Sequence, residues 1–148
     1  MKRAYITTGA AIVVVAGVQP GSAAATPAEG EIVRTEIAKG TTDAPIAIVA
    51  AGQQTTFYIQ NLILKPGSSS GWHTHPGPEY SIVKRGTVYL QQAPGCEPVA
   101  YNEGDAVFIQ TGTPHVVTNR GPADAEAIVT YTLPADHALR DDASAACP

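Results

Sequence analysis

The sequence predicts an all-β fold, a sandwich or barrel of short strands. Three observations carry that expectation. Runs rich in Val, Ile, Thr, Tyr and Phe recur at roughly ten-residue spacing. Gly and Pro, 14 and 12 of them, punctuate nearly every junction. No stretch after the N-terminus shows a convincing helical repeat of apolar residues. The length of 148 residues suits one domain. Hydrophobic residues make up 44% of the chain, enough to bury a core, which argues against global disorder. The formal charge is −4, and no basic run extends beyond Lys84-Arg85, which argues against nucleic acid as a partner.

The first 25 residues read as a targeting segment. Lys2 and Arg3 give a positive start, a tight apolar run covers Ala10 to Val18, and Ser22-Ala23-Ala24-Ala25 supplies small residues. That order fits a secretory signal peptide cut after Ala25. A membrane span needs about 20 apolar residues, far more than this run holds. The expected product is a secreted or periplasmic domain over residues 26–148, free of the membrane once the signal is removed. In an oxidising compartment the only two cysteines, Cys96 and Cys147, are expected to form a disulfide; two free thiols are the alternative.

Residues 26–30 read as a mobile start. Glu31–Ala38 alternates charged and apolar residues, as a half-buried strand does. Ile46–Ala51 is a short apolar candidate. Thr55–Lys65 is rich in β-formers and stops at Pro66-Gly67. Glu79–Lys84 and Thr87–Gln91 flank Arg85-Gly86, which has the look of a hairpin turn. Glu97–Tyr101, Ala106–Gln110, His115–Asn119 and Glu126–Leu133 complete the strands. Beyond Pro134 a short helical turn is the weakest expectation.

The chemistry gathers in two clusters. The first runs Gly67, His73, His75, Glu79, Gly86. Side chains two apart on a strand face the same way, so His73 and His75 project together and Thr74 points away. The bend Pro76-Gly77-Pro78 can return the chain so that the Glu79 carboxylate meets the imidazoles. The second cluster runs Gly104, Gln110, Gly112, His115, Asn119 and adds an imidazole after a Gly-Thr-Pro turn. Three imidazoles and a carboxylate suit a divalent transition metal: Fe, Mn, Zn, Ni, Cu or Co. Binding requires neutral imidazoles, so occupancy should fall in mild acid.

These two clusters resemble the paired motifs of the cupin superfamily. The first carries all five markers, Gly67, His73, His75, Glu79 and Gly86. The second carries Gly104, Gly112, His115 and Asn119, with Gln110 where cupins usually have Pro. That departure bears on turn geometry rather than on metal binding. The resemblance covers roughly Thr55 to Leu133. It implies a single antiparallel jelly-roll β-barrel with a metal held by His73, His75, Glu79 and His115. It also implies that pairing into a homodimer is common. Activities in the family are diverse, so the fold alone fixes no function.

Asn119 reads as a structural amide, His137 as surface, and Trp72 as a packing residue facing away from the metal. Any of Tyr58, Tyr80, Tyr89, Tyr101 and Tyr131 could turn inward and offer a proton; the sequence does not rank them. Three functions stay open. The first is a metal-dependent, dioxygenase-like enzyme acting on a small molecule, with Glu79 serving as ligand and as base. The second is a non-catalytic module that binds a sugar, a carboxylate or the metal itself. The third is a structural barrel whose motifs are relics, against which the intact ligand set argues.

Overall fold

The computed structural model describes residues 36–42, 46 and 54–148. The expected signal peptide, most of the Glu31–Ala38 candidate and all but Ile46 of the next lie outside the described residues. Residues 36–38 and Ile46 carry no strand.

Among the described residues there are nine strands and no helix. They are β1 (Thr55–Leu64), β2 (His73–Thr74), β3 (Glu79–Arg85), β4 (Thr87–Gln92), β5 (Val99–Asn102), β6 (Ala106–Ile109), β7 (His115–Thr118), β8 (Ala125–Pro134) and β9 (Asp141–Asp142). One sheet has the order β1-β8-β3-β6 and the other β5-β4-β7-β2-β9. Every pairing between these strands is antiparallel. The chain passes back and forth between the sheets, so neighbours in sequence seldom pair. This wrapping is that of a jelly roll.

The β1–β8 ladder is the longest, running without a break from Thr55↔Pro134 to Leu64↔Ala125. Along β8 burial alternates strictly, with Ala125, Ala127, Val129, Tyr131 and Leu133 inside. A period of two against one apolar face is what fixes register, because a one-residue slip would turn this whole set outward. Val83 and Val88 meet Leu64 and Ala125 at one end of the interior, and Leu90 packs with Val107 and Ile109 further along. Each such side chain removed from water contributes roughly 1.5–3 kcal/mol.

The turn at Arg85-Gly86 is not a hairpin. β3 pairs with β8 and β6, whereas β4 pairs with β5 and β7. Gly86 is therefore a corner where the chain leaves one sheet for the other. A register shift between Val83 and Arg85 bends β3, and Gly86 takes φ 77°, which a side chain would resist. Its neighbourhood is also tight, since an added Cβ would sit 3.1 Å from the Asp124 carbonyl oxygen. The sequence signals a turn here but not which strands it joins.

The tail after Pro134 holds no helical turn. It makes a tight turn at residues 135–136, with Asp136 at φ 66°, then β9, which pairs with β2 through Thr74↔Asp141 and His73↔Asp142. Cys147 closes a disulfide to Cys96, across a sequence separation of 51.

Candidate metal centre

The site lies where β2, β3 and β7 come together. Ahead of β2, the loop 66–72 is pinned to β7: Ser70 N–H donates to the Val117 carbonyl and Val117 N–H to Ser70 Oγ, both at 2.9 Å. That pinning sets His73 directly opposite His115 on the β2–β7 ladder. β2 ends at Thr74, yet inward alternation continues past it, with His75, Gly77, Glu79 and Ser81 all buried. The Pro76-Gly77-Pro78 bend then passes tightly over β8. The Pro78 carbonyl accepts from Thr132 N–H, and a Cβ on Gly77 would overlap the Thr132 carbonyl. Glu79 thereby opens β3 between Ile109 on one side and Tyr131 on the other.

His73, His75 and His115 converge, with one ligand atom from each within 4.8 Å of the others. Their exposures are 5%, 4% and 1%. Each ring faces a carbonyl through Nδ1: Gly71 for His73 (2.8 Å), Leu139 for His75 (2.6 Å) and Thr113 for His115 (2.8 Å). A carbonyl only accepts, so each Nδ1 carries a proton, and in the neutral ring the lone pair is left on Nε2. Nε2 of His75 and of His115 are buried and make no hydrogen bond. Glu79 Oε2 stands 3.2 Å from the first and 3.7 Å from the second. Lone pairs and a carboxylate at such separations, away from water, call for a cation among them. The donor set thus fits a transition metal, with imidazole nitrogens and one carboxylate oxygen as ligands.

Electrostatics agrees with that fit. Burial pulls His73 down to about 4, outweighing the Gly71 carbonyl that favours its charged form, so the ring is neutral at physiological pH. Burial alone would raise Glu79. Contact with His115 and His75, and a 2.7 Å hydrogen bond from Ser81 Oγ to Oε1, more than reverse that and bring it to about 2. An ionised Glu79 carboxylate therefore shares the site with a neutral His73 ring.

Two comparisons extend the geometry. Residues 61–131 match the family model described as the Cupin domain. Over those residues the barrel is a cupin domain. Among solved structures it is similar to a cupin-like protein from Thermotoga maritima, at 22% identity and TM-score 0.51, over 60% of this chain and 65% of that one. It is also similar to a polyketide cyclase from Streptomyces resistomycificus, at 19% identity and TM-score 0.52, over 60% and 63%. The likeness spans less than two thirds of either neighbour and concerns the fold. No curated protein matches the sequence.

The cupin site brings together all four residues expected from the sequence. Gln110, which departs from the cupin pattern, does not disturb the turn. Its carbonyl accepts from Thr113 N–H at 3.2 Å, Gly112 takes φ 70°, and Gly112 N–H reaches the His75 carbonyl at 2.9 Å. Asn119 is 2% exposed, and its amide donates to the Leu64 and Ala123 carbonyls while accepting from Gly121 N–H. It ties strand ends together, as a structural amide does. Trp72 is half-buried and His137 is exposed.

Two partners, Ser81 and the Leu139 carbonyl, escape the sequence reading, and a third, Tyr131, is one of the five tyrosines the sequence left unranked. Tyr131 is 4% exposed, packs against His75 with centroids 4.6 Å apart, and accepts at its hydroxyl from Gln60 Nε2 at 3.2 Å. Of the five strand tyrosines it is the one packed against a site imidazole, while Tyr58 is 44% exposed at the sheet edge. The β8 alternation held the signal, since Tyr131 shares phase with Val129 and Leu133. Ser81 shares phase with Glu79 in the same way. The Leu139 carbonyl had no sequence signal at all.

Behind Glu79 the interior is apolar, lined by Leu64, Val83, Leu90, Val107, Ile109 and Val129 among others. It leaves about 20 Å³ for the centre of a water-sized particle, room for one small molecule.

Proposed function

We propose that the chain is an exported, metal-dependent cupin enzyme of dioxygenase type that acts on a small molecule. The observation that carries this reading is the convergence of three imidazoles on an ionised carboxylate, with two buried Nε2 atoms lacking any hydrogen bond. A purely structural barrel gains nothing from buried, unpaired acceptors, which destabilise it by about 1–3 kcal/mol each. The signal-like N-terminus and the Cys96–Cys147 disulfide support export.

His73, His75 and His115 would hold the metal through Nε2, and Glu79 through its carboxylate. A bound Fe or Mn would supply Lewis acidity and redox chemistry with dioxygen. The protein's own part is then definable. Three carbonyls lock the imidazoles in the binding tautomer. Glu79 carries the negative charge and, by partly dissociating from a bound metal, would take a proton from a substrate at Oε2. Tyr131 keeps its proton, because burial and the Glu79 charge both push its phenol up, and so can donate at its hydroxyl. The narrow apolar space behind Glu79 suits a diatomic molecule better than an organic substrate.

That narrowness also favours a second reading, in which the metal itself is the ligand and nothing is turned over. Elemental analysis of protein purified without chelator separates the two. About one Fe or Mn per chain, with dioxygen uptake on enolisable acids or catechols, supports the enzyme. Tightly held metal with no uptake supports the binding module. Protein that neither carries nor takes up metal overturns both.

A further inference from the structure

Two of the three site imidazoles are oriented by their own loops. His73 and His115 each give Nδ1–H to the carbonyl two residues before them, Gly71 and Thr113. His75 differs. Its partner is the Leu139 carbonyl, 64 residues away in the C-terminal tail. No carbonyl of its own loop meets that Nδ1; the ring's other neighbours are Glu79 Oε2, at Nε2, and the Tyr131 ring, so the Nδ1–H depends on where the tail lies.

The tail is fixed at several points. The Leu139 side chain packs on the cluster of Ala127, Val129, Tyr131 and Leu133. Arg140 donates from its guanidinium to the Ser70 carbonyl at 3.1 Å. β9 pairs with β2, and Ala143 N–H donates to the Trp72 carbonyl at 3.0 Å. Cys147, 7% exposed, then joins Cys96 in the loop after β4. The Arg140, β9 and Ala143 contacts all fall on the segment 70–74, immediately before His75.

The geometry points to the tail as a positioning segment for the metal centre: the disulfide-stapled stretch 139–147 sets the ring of His75 through the Leu139 carbonyl, and so sets the affinity of the site. The physical reason is that an imidazole held at Nδ1 has its lone pair already aimed, whereas a free ring must be ordered when the metal arrives. A tail released from Cys96 leaves the Nδ1–H of His75 to water or to no partner, while His73 and His115 keep theirs. The inference deepens the metal reading in its affinity consequence, and the ring hydrogen bond is testable without metal.

Two full-length variants test it. Cys96→Ser/Cys147→Ser removes the staple, and Leu139→Ala/Arg140→Ala loosens the tail with the staple intact. Imidazole nitrogen–proton spectra of the metal-free proteins read each Nδ1–H separately, with His73 and His115 as internal references. The expected result is selective loss or rapid exchange of the His75 signal in at least one variant whose other two signals persist. Titration with cobalt(II) should then show affinity lower by about ten- to a hundredfold, the usual cost of removing an outer partner of a ligating histidine. A His75 signal that survives in both folded variants overturns the proposal, as does unchanged cobalt(II) affinity after that signal is lost. If one variant fails to fold, the other decides. If the parent protein binds no cobalt(II), the metal reading falls, and the His75 signal still decides whether the tail positions the ring.

Discussion

His73 and His115 stand directly opposite each other across the β2–β7 ladder, their ring centroids 4.2 Å apart. Residues 42 apart in sequence thus share one side of one sheet. The ladder fixes their backbones and the Gly71 and Thr113 carbonyls hold their Nδ1 atoms, which makes the pair a firm base for the site. His75 and Glu79 close it from the segment that follows.

Removing a ring from that pair should empty the centre. His115→Ala deletes a candidate ligand that is 1% exposed and leaves a cavity in its place. Metal affinity is expected to fall by more than the ten- to hundredfold typical of outer partners. Elemental analysis of His115→Ala beside the parent protein checks this. Unchanged metal content would remove His115 from the site.

Acid should weaken the metal-free fold through two groups acting in the same direction. His73 falls from 6.5 to about 4 on folding, so the unfolded chain takes up the proton first. Stability is then complete above about 6.5 and drains as pH falls toward 4. Glu79 falls from 4.5 to about 2, so its contribution is present above about 4.5 and is lost as pH falls toward 2. Thermal melting of the metal-free protein across this range should show a midpoint that declines in two stages. In His73→Gln the upper stage should vanish and the lower one remain; an unaltered upper stage would assign it elsewhere.

Legibility in the sequence followed the range of the interactions. The strands between Thr55 and Leu133 were readable because alternation is local, and β8 shows it without a break. The four candidate ligands were readable because His-x-His and the following Glu lie within seven residues, and His115 sits in the second motif. The role of Gly86 was not readable as a sheet-to-sheet corner. A turn residue records local backbone shape, while strand partnership is decided by distant segments. β9 and the Leu139 carbonyl were invisible for the same reason. The two residues of β9 carry no pattern, and a backbone carbonyl carries no side-chain signature.

Gly77 should be among the least replaceable residues outside the ligands. The backbone of the bend lies so close to β8 that a methyl group would overlap the Thr132 carbonyl. Relief requires moving either β8 or the bend, and the bend delivers Glu79. Gly77→Ala is therefore expected to cost at least about 1–3 kcal/mol, the range for overpacking. It should also lower metal affinity through displacement of Glu79. Chemical denaturation and metal titration of the one variant test both effects. Wild-type stability would mean that the bend and β8 can separate.

Tyr131 offers the sharpest division between holding the metal and using it. Its ring packs on His75, so a phenyl group in its place keeps the packing and removes only the hydroxyl. That hydroxyl accepts from Gln60, and losing it should cost about 1 kcal/mol of stability. Burial, with the Glu79 charge behind it, raises the phenol above its ordinary value, so the hydroxyl stays protonated at physiological pH. Tyr131→Phe is accordingly expected to bind metal as the parent does and to lose turnover of any substrate that must be protonated. Metal analysis and turnover, measured on the same preparation, give the answer. Loss of metal would show that the hydroxyl supports the ligand set, whereas full turnover with full metal would leave Tyr131 as packing for His75 and move proton donation to another group.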